Sequence, residues 1–239
     1  MWFTSSKQCP LTVTVLASGT NLLASEPINK TLELAGPGKF HVASREIAKP
    51  NAAWSLSYSF YVNCGYKSAR HEEGYLYALP TAQGRRVRVS QAFGGHFSHK
   101  DEANRYAIDF DLPMGSPVYA AREGRVVEVV DVFSDGGPNV SEEQVNVVRV
   151  LHRDNTIGEY AHLGKNILVK VGEKVKRAQL IAYSGNSGRT TGPHLHFAVH
   201  QPVDGKNRRS VPIYFSTPEG PSLGLVQGKE YRREEVPEL

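Results

Sequence analysis

Short segments in which apolar and polar residues alternate recur along the chain and restrict it to folds built from β-strands. In residues 11–16 and 54–60, every second side chain would face the same side of a sheet. Further segments with strand character lie between glycines and prolines: 86–93, 117–121, 125–132, 144–152, 156–161, 179–184 and 211–215. No window of 11–18 residues in the second half carries the apolar stripe of a helix. The sequence therefore predicts a mainly β protein.

The length and the turn-forming residues indicate two modest domains. Glycine and proline make up 36 of the 239 residues, about 15%, which is more than the usual ~12% and indicates many turns. Residues 71–83 are polar and rich in turn formers, and they predict a linker or a domain boundary. We expect a small β-sandwich-like N-terminal domain over 1–80, an antiparallel β-sheet domain over 85–215, and a loose C-terminal tail over 216–239.

The charge and hydropathy patterns exclude two classes of protein. The 28 Lys and Arg residues and the 24 Asp and Glu residues give a net charge of +4 and are spread along the chain. A clustered basic face with aromatic stacking residues is typical of nucleic-acid binding, and the sequence has none. No segment approaches the roughly 20 apolar residues that cross a bilayer. We therefore expect neither a nucleic-acid-binding nor a membrane-spanning protein.

The chain has two cysteines, Cys9 and Cys64, both in its first third. They are too far apart in sequence to match the paired spacing of a zinc site with sulfur ligands. Two alternatives stay open, a disulfide within the N-terminal domain or two buried thiols. The disulfide would suit an exported protein.

Residues that could carry chemistry lie in three segments of the predicted domain over 85–215. Residues 184–197 form a Gly/Ser/Thr-rich stretch that ends in a His-Leu-His-Phe motif with His194 and His196. Side chains two apart on a strand face the same side, so both imidazoles can serve one site. Taken alone, such a pair is more often a polar surface. His162 and Asp109, each in a predicted strand or at its end, provide additional ligating groups and favour a site.

Three motifs together resemble the lysostaphin/LytM-type zinc metallopeptidases. They are His-Leu-His-Phe at 194–197, Tyr-Ala-His-Leu at 160–163, and Tyr-Ala-Ile-Asp-Phe at 106–110 followed by Pro-Met-Gly-Ser-Pro-Val-Tyr-Ala-Ala at 113–121. They occur in the family's order, and the resemblance covers residues 86–200. That family cleaves peptides of bacterial peptidoglycan, so the resemblance implies an antiparallel β-sheet metallopeptidase catalytic domain.

The resemblance also implies a Zn²⁺ site and assigns residues to it. In the family, two histidines and one aspartate hold the ion and leave a position for water, as in catalytic zinc sites generally. When the family's roles are transferred to the matching positions of this chain, Asp109 and His196 are metal ligands, while His162 and His194 are catalytic residues that do not bind the metal. A neutral imidazole can accept a proton from water, and a second imidazole can stabilise an oxyanion. Asp111 is expected to lie outside the metal's ligands.

One position departs from the family's pattern. The family's first histidine lies four residues before the aspartate, where this chain has Arg105, and a guanidinium has no lone pair to donate. The nearest upstream histidines are His96 and His99. Some relatives have a Ser-His pair and a variable loop before the Tyr-Ala-Ile-Asp segment. We therefore expect His99 to fold back as the third ligand; the alternatives are His96 and a site without a third protein ligand.

The resulting hypothesis is a zinc-dependent endopeptidase that hydrolyses peptide cross-links or stem peptides of bacterial peptidoglycan. The alternatives are an inactive member of the same fold that binds the cell wall or regulates an amidase, and a glycan-binding envelope protein. The resemblance implies export to the periplasm or the extracellular envelope, with the leader already removed. Which bond is cleaved, the role of the N-terminal domain and the oligomeric state are left open by the sequence.

Overall fold

A computed structural model describes residues 1–23, 27–134 and 136–233, and every regular element in these ranges is a β-strand. The strands are β1 (Trp2–Ser5), β2 (Leu11–Thr20), β3 (Ile28–Leu34), β4 (Gly38–His41), β5 (Ser55–Cys64), β6 (Leu76–Tyr77), β7 (Arg86–Gln91), β8 (Ile108–Phe110), β9 (Pro117–Tyr119), β10 (Gly124–Val130), β11 (Gly136–Gly137), β12 (Val147–Leu151), β13 (Ile157–Ala161), β14 (Lys174–Val175), β15 (Leu180–Tyr183), β16 (Gly188–Arg189), β17 (Leu195–Pro202), β18 (Arg208–Ser210), β19 (Tyr214–Thr217), β20 (Gly220–Leu223) and β21 (Glu230–Arg232). The predicted mainly β, antiparallel fold class is confirmed. A search of the described residues for a helix long and apolar enough to cross a membrane finds none.

The chain folds into two compact units. The first consists of Met1–Ser68 together with Pro202–Arg208, and the second of Ala69–Gln201 together with Arg209–Leu239. The first unit thus ends within the predicted N-terminal domain and also includes a short segment from much later in the chain.

The first unit is built on two antiparallel sheets, β3-β2-β5 and β1-β4. On the central strand β2, the side chains of Leu11, Val13 and Val15 are fully buried, as the alternating pattern predicts. A disulfide joins Cys9 to Cys64, so the two cysteines are bonded to each other and are not free thiols. The β-sandwich-like packing of these sheets stays a prediction.

The second unit is dominated by one large sheet with the strand order β14-β10-β12-β13-β17-β8-β7-β21, in which β18 also pairs with β17. The neighbouring strands for which a register is defined run antiparallel. The central strands β13 and β17 are buried along their whole length. Phe110, Tyr160 and Phe197 are among the largest side chains of its core. Burial on this scale makes the central strands a rigid frame for the polar side chains that they carry.

Residues 71–83, predicted as a linker or boundary, and the predicted C-terminal tail both contribute strands to the second unit. Residues 71–83 contain β6, which pairs with β19, and both Tyr77 and Leu79 are fully buried. The second unit begins at Ala69, just before this segment, and residues 77–81 of the segment are buried in that unit. The predicted domain bounds stay a prediction. The described part of the predicted tail, 216–233, contains β20 and β21, and Tyr231 of β21 joins the core.

Candidate metal centre

A row of residues across the adjacent strands β13, β17, β8 and β7 positions the candidate site. Ala161 is paired with His196, His196 with Asp109, and Asp109 with Gln91. His162 follows β13 directly and has a φ of 60°, in the left-handed region, which ends the strand at this point. The register of the sheet therefore brings side chains that are distant in sequence into one line.

Three of the residues predicted as ligands come together in what we call the metal cluster, His99, Asp109 and His196. The Oδ1 atom of Asp109 lies 3.3 Å from Nε2 of His99 and 2.9 Å from Nδ1 of His196. One ligand atom from each residue lies within 4.8 Å of the other two. A tetrahedral zinc ion with ligands at about 2.0–2.1 Å holds them roughly 3.3 Å apart. The metal cluster therefore has the spacing and the donor types to hold such an ion.

The environment of His99 supports this fit. Its side chain is fully buried, and its Nδ1–H donates to the carbonyl of Ala92 at 2.9 Å, which leaves the lone pair on Nε2. Nε2 is buried and has no hydrogen-bond partner among the described residues. A buried acceptor without a partner is costly, and a cation at this position would satisfy it. His96 and Arg105, the other candidates near this position, are exposed and lie outside the metal cluster.

Asp109 is held in its ionised form. Burial raises the pKa of its carboxyl group, but the hydrogen bond from His196 and the proximity of His99 outweigh this effect and leave the pKa well below its ordinary value. Its second oxygen, Oδ2, accepts a hydrogen bond from Nε2 of Gln91 at 2.8 Å. The carboxylate therefore presents Oδ1 to the two imidazoles.

The remaining predicted residues, His162 and His194, form an imidazole pair beside the metal cluster. Their ring centroids are 4.5 Å apart, and the ring of His162 lies 6.1 Å from that of His196. The Nδ1–H groups of His162 and His194 donate to the carbonyls of Ser187 and Gly192, both at 2.8 Å. These bonds fix the tautomer in which each neutral ring keeps a lone pair on Nε2.

The ionisation of His162 is also shifted. Burial and the neighbouring His194 and His196 lower its pKa from 6.5 to about 4. The ring is therefore neutral near pH 7 and able to accept a proton.

Asp111, expected to lie outside the ligand set, is paired with Arg88 at 3.1 Å. It is not part of the metal cluster, the one group of this kind found within the described residues.

Sequence reasoning missed Gln91, which lies next to Asp109. The signal was available in the strand 86–91, where Val87 and Val89 are buried and Gln91 follows with the same period of two. A polar residue at a position that alternation assigns to the core requires hydrogen-bond partners.

Part of the chain is similar to a known protein family. Residues 103–211, just under half of the chain, match the sequence model of peptidase family M23. The matched range contains Asp109, His162, His194 and His196, whereas His99 lies before it.

Several curated proteins are similar to the same region. Peptidoglycan DD-endopeptidase ShyA of Vibrio cholerae is 36% identical over 138 residues, which are 55% of this chain and 30% of ShyA. Peptidoglycan DD-endopeptidase ShyB of the same organism is 43% identical over 99 residues, 40% of this chain and 21% of ShyB. The glycyl-glycine endopeptidase ALE-1 of Staphylococcus capitis is 38% identical over 95 residues, 39% of this chain and 24% of ALE-1. The chain thus spans less than a third of the length of these relatives.

Among solved structures, a zinc-containing peptidase from Vibrio cholerae superposes on 65% of this chain and 51% of its own chain, with 25% identity and a TM-score of 0.41.

Proposed function

Because residues 103–211 match the sequence model of peptidase family M23, we propose that this chain is a zinc-dependent endopeptidase that hydrolyses peptide bonds of bacterial peptidoglycan. One observation carries the proposal. Three ligating atoms of the metal cluster converge beside an imidazole pair whose tautomers are fixed by backbone carbonyls. Two histidines and one carboxylate are the ligand set of a catalytic zinc site that keeps a position open.

The relatives support the substrate class. Two of them are named peptidoglycan DD-endopeptidases and a third is named a glycyl-glycine endopeptidase. All three names specify an endopeptidase; two of them place the target in peptidoglycan, and the third specifies a glycyl-glycine bond. We accordingly propose that the substrate is a peptide of peptidoglycan, and that the protein is exported and acts in the cell envelope.

In this proposal His99, Asp109 and His196 hold the ion. When bound, Zn²⁺ lowers the pKa of a water molecule and polarises the scissile carbonyl group. The role of the three protein ligands is to present one anionic oxygen and two neutral nitrogens from a buried position.

The imidazole pair moves protons. The low pKa of His162 keeps its Nε2 available, so this ring accepts the proton of the attacking water and then returns it to the leaving amine. His194, when protonated, keeps its Nδ1–H on the carbonyl of Gly192 and presents Nε2–H to the developing oxyanion.

The experiment is to incubate the purified chain with two cross-linked peptidoglycans, one with direct cross-links and one with glycine bridges. We expect new free amines with at least one of them, abolished by a chelator and restored by stoichiometric zinc, and product masses then identify the bond. The His194→Ala variant is the control, since it should keep the metal and lose turnover. A zinc-loaded chain that binds the polymer and releases no amine would refute the proposal and favour the inactive or glycan-binding alternatives.

A further inference from the structure

Gln91 is a buried amide whose hydrogen bonds connect two members of the metal cluster. Its side chain is only 6% exposed. It lies opposite Asp109 because the pairing of β7 with β8 shifts register between Val89 and Gln91. A bulge of this kind re-aims a side chain, and here it directs Gln91 towards the carboxylate of Asp109.

The amide of Gln91 uses its full capacity for hydrogen bonds. Its Nε2 donates to Oδ2 of Asp109 at 2.8 Å and to Oγ of Ser98 at 2.7 Å. Its Oε1 accepts from the backbone N–H groups of Phe97 and Ser98 at 3.0 and 3.1 Å. A carboxamide has two donors and two acceptor lone pairs, so none is left over. The Nε2 atom thus binds Asp109 of β8, and both Nε2 and Oε1 bind the segment 97–98 that leads into His99.

The local sequence makes room for this arrangement. Gly95 packs against Gln91, and a Cβ atom at that position would lie 2.2 Å from Cγ and 2.8 Å from Cδ of the glutamine. The backbone N–H of His99 donates to the carbonyl of Gly95 at 3.1 Å, so the same turn also orders the histidine. The position of His99 therefore depends on a turn that forms around the glutamine.

We propose that Gln91 is a positioning residue for the metal: it sets the orientation of Asp109 and the loop of His99 at the same time. The proposal rests on the metal centre of the proposed function. With Oδ2 occupied by the amide, Asp109 offers Oδ1 to the ion, which favours a monodentate carboxylate. His99 comes from a loop rather than a strand, so its ring needs this second constraint, whereas His196 is already ordered by the sheet.

The test measures zinc affinity, by competition with a chromophoric chelator, and the absorption spectrum of the cobalt-substituted chain. The first variant is Gln91→Leu, which keeps the approximate size and removes all four bonds. Gln201→Leu is its matched control, since Gln201 is a buried glutamine of the same unit with partners outside the metal cluster. Loss of a group that orients a ligand weakens metal affinity about 10–100-fold, and we expect this change for Gln91→Leu and less than about twofold for Gln201→Leu.

A second variant keeps the glutamine at position 91 but displaces its side chain. Gly95→Ala should weaken zinc binding in the same direction and alter the cobalt spectrum, whereas Gly74→Ala, with open space around its Cβ position, should change neither. This pair keeps the proposal falsifiable if Gln91→Leu does not fold. Wild-type affinity and spectrum in both Gln91→Leu and Gly95→Ala would overturn the positioning role alone. A wild-type chain that binds no zinc would overturn the metal centre itself.

Discussion

Replacing His99 tests the proposed metal ligand that lies in a loop ten residues before Asp109, and not four residues before it as in the peptidase family that the chain resembles. The informative variant is His99→Asn. The asparagine amide can still donate to the carbonyl of Ala92, as Nδ1 does now, but it cannot reach the position of Nε2. The variant thus removes the ligand and keeps much of the local structure.

The size of the effect follows from the ligand count. Zinc peptides with four protein ligands bind the metal with roughly 10–16 kcal/mol, or about 2.5–4 kcal/mol for each ligand. Loss of one of the three proposed ligands of the metal cluster should therefore weaken zinc binding about 60- to 700-fold, since about 1.4 kcal/mol corresponds to a factor of ten.

The assay is a competition titration of metal-free protein against a chromophoric chelator, with the melting temperature of the metal-free chain recorded alongside. Arg105→Ala is the control, because Arg105 occupies the family's usual ligand position but is exposed and lies outside the metal cluster. Its affinity should stay within about twofold of wild type. If His99→Asn bound zinc as tightly as the unmodified chain, or if Arg105→Ala lost the metal, the assignment of His99 would be wrong.

Three further predictions concern the imidazole pair, a buried arginine and the response to acid. Replacing His162 or His194 by alanine should lower peptidoglycan turnover about 10²–10⁴-fold with zinc content unchanged, and a parallel loss of zinc would contradict their role as non-ligands. Arg122 is fully buried and its guanidinium lies 2.9 Å from a carboxylate oxygen of Asp154, so Arg122→Met should lower the free energy of unfolding by about 3–5 kcal/mol. Denaturant titration measures this, and an unchanged midpoint and slope would refute it. Burial lowers the pKa of His152 from 6.5 to about 3, so the folded chain keeps this ring neutral while the unfolded chain protonates it. Its contribution to stability is complete above pH 6.5 and is lost as the pH falls towards 3, by up to about 1.4 kcal/mol per pH unit. The slope of unfolding free energy against pH should be smaller in His152→Gln, and identical slopes would exclude the effect.

The strand content and the chemical types of the site residues were accessible from sequence, since both rest on local patterns. Alternation with a period of two depends on neighbouring residues, and it located the strands around residues 11–16, 86–93 and 156–161. The spacing of His194 and His196 is likewise a local feature, since side chains two apart in an extended segment face the same side; in the structure His194 directly precedes β17 and His196 lies within it.

Which groups meet across the sheet was decided by the tertiary structure. The sequence favoured His99 over His96 only through a resemblance to relatives with a Ser-His pair. In the structure, the path of the loop after β7 leaves His96 exposed and buries His99 against Asp109. The role of Gln91 depends on a register shift between β7 and β8, which no local pattern encodes.

The sequence by itself determined that the chain forms strands and which side chains can ligate a metal, because propensity and donor chemistry belong to individual residues and their near neighbours. The tertiary structure decided the burial of residues 77–81, the pairing of β21 with β7 and the convergence of the metal cluster. These features arise from contacts between residues far apart in the chain, and their free energy depends on packing that exists only once the sheet has formed.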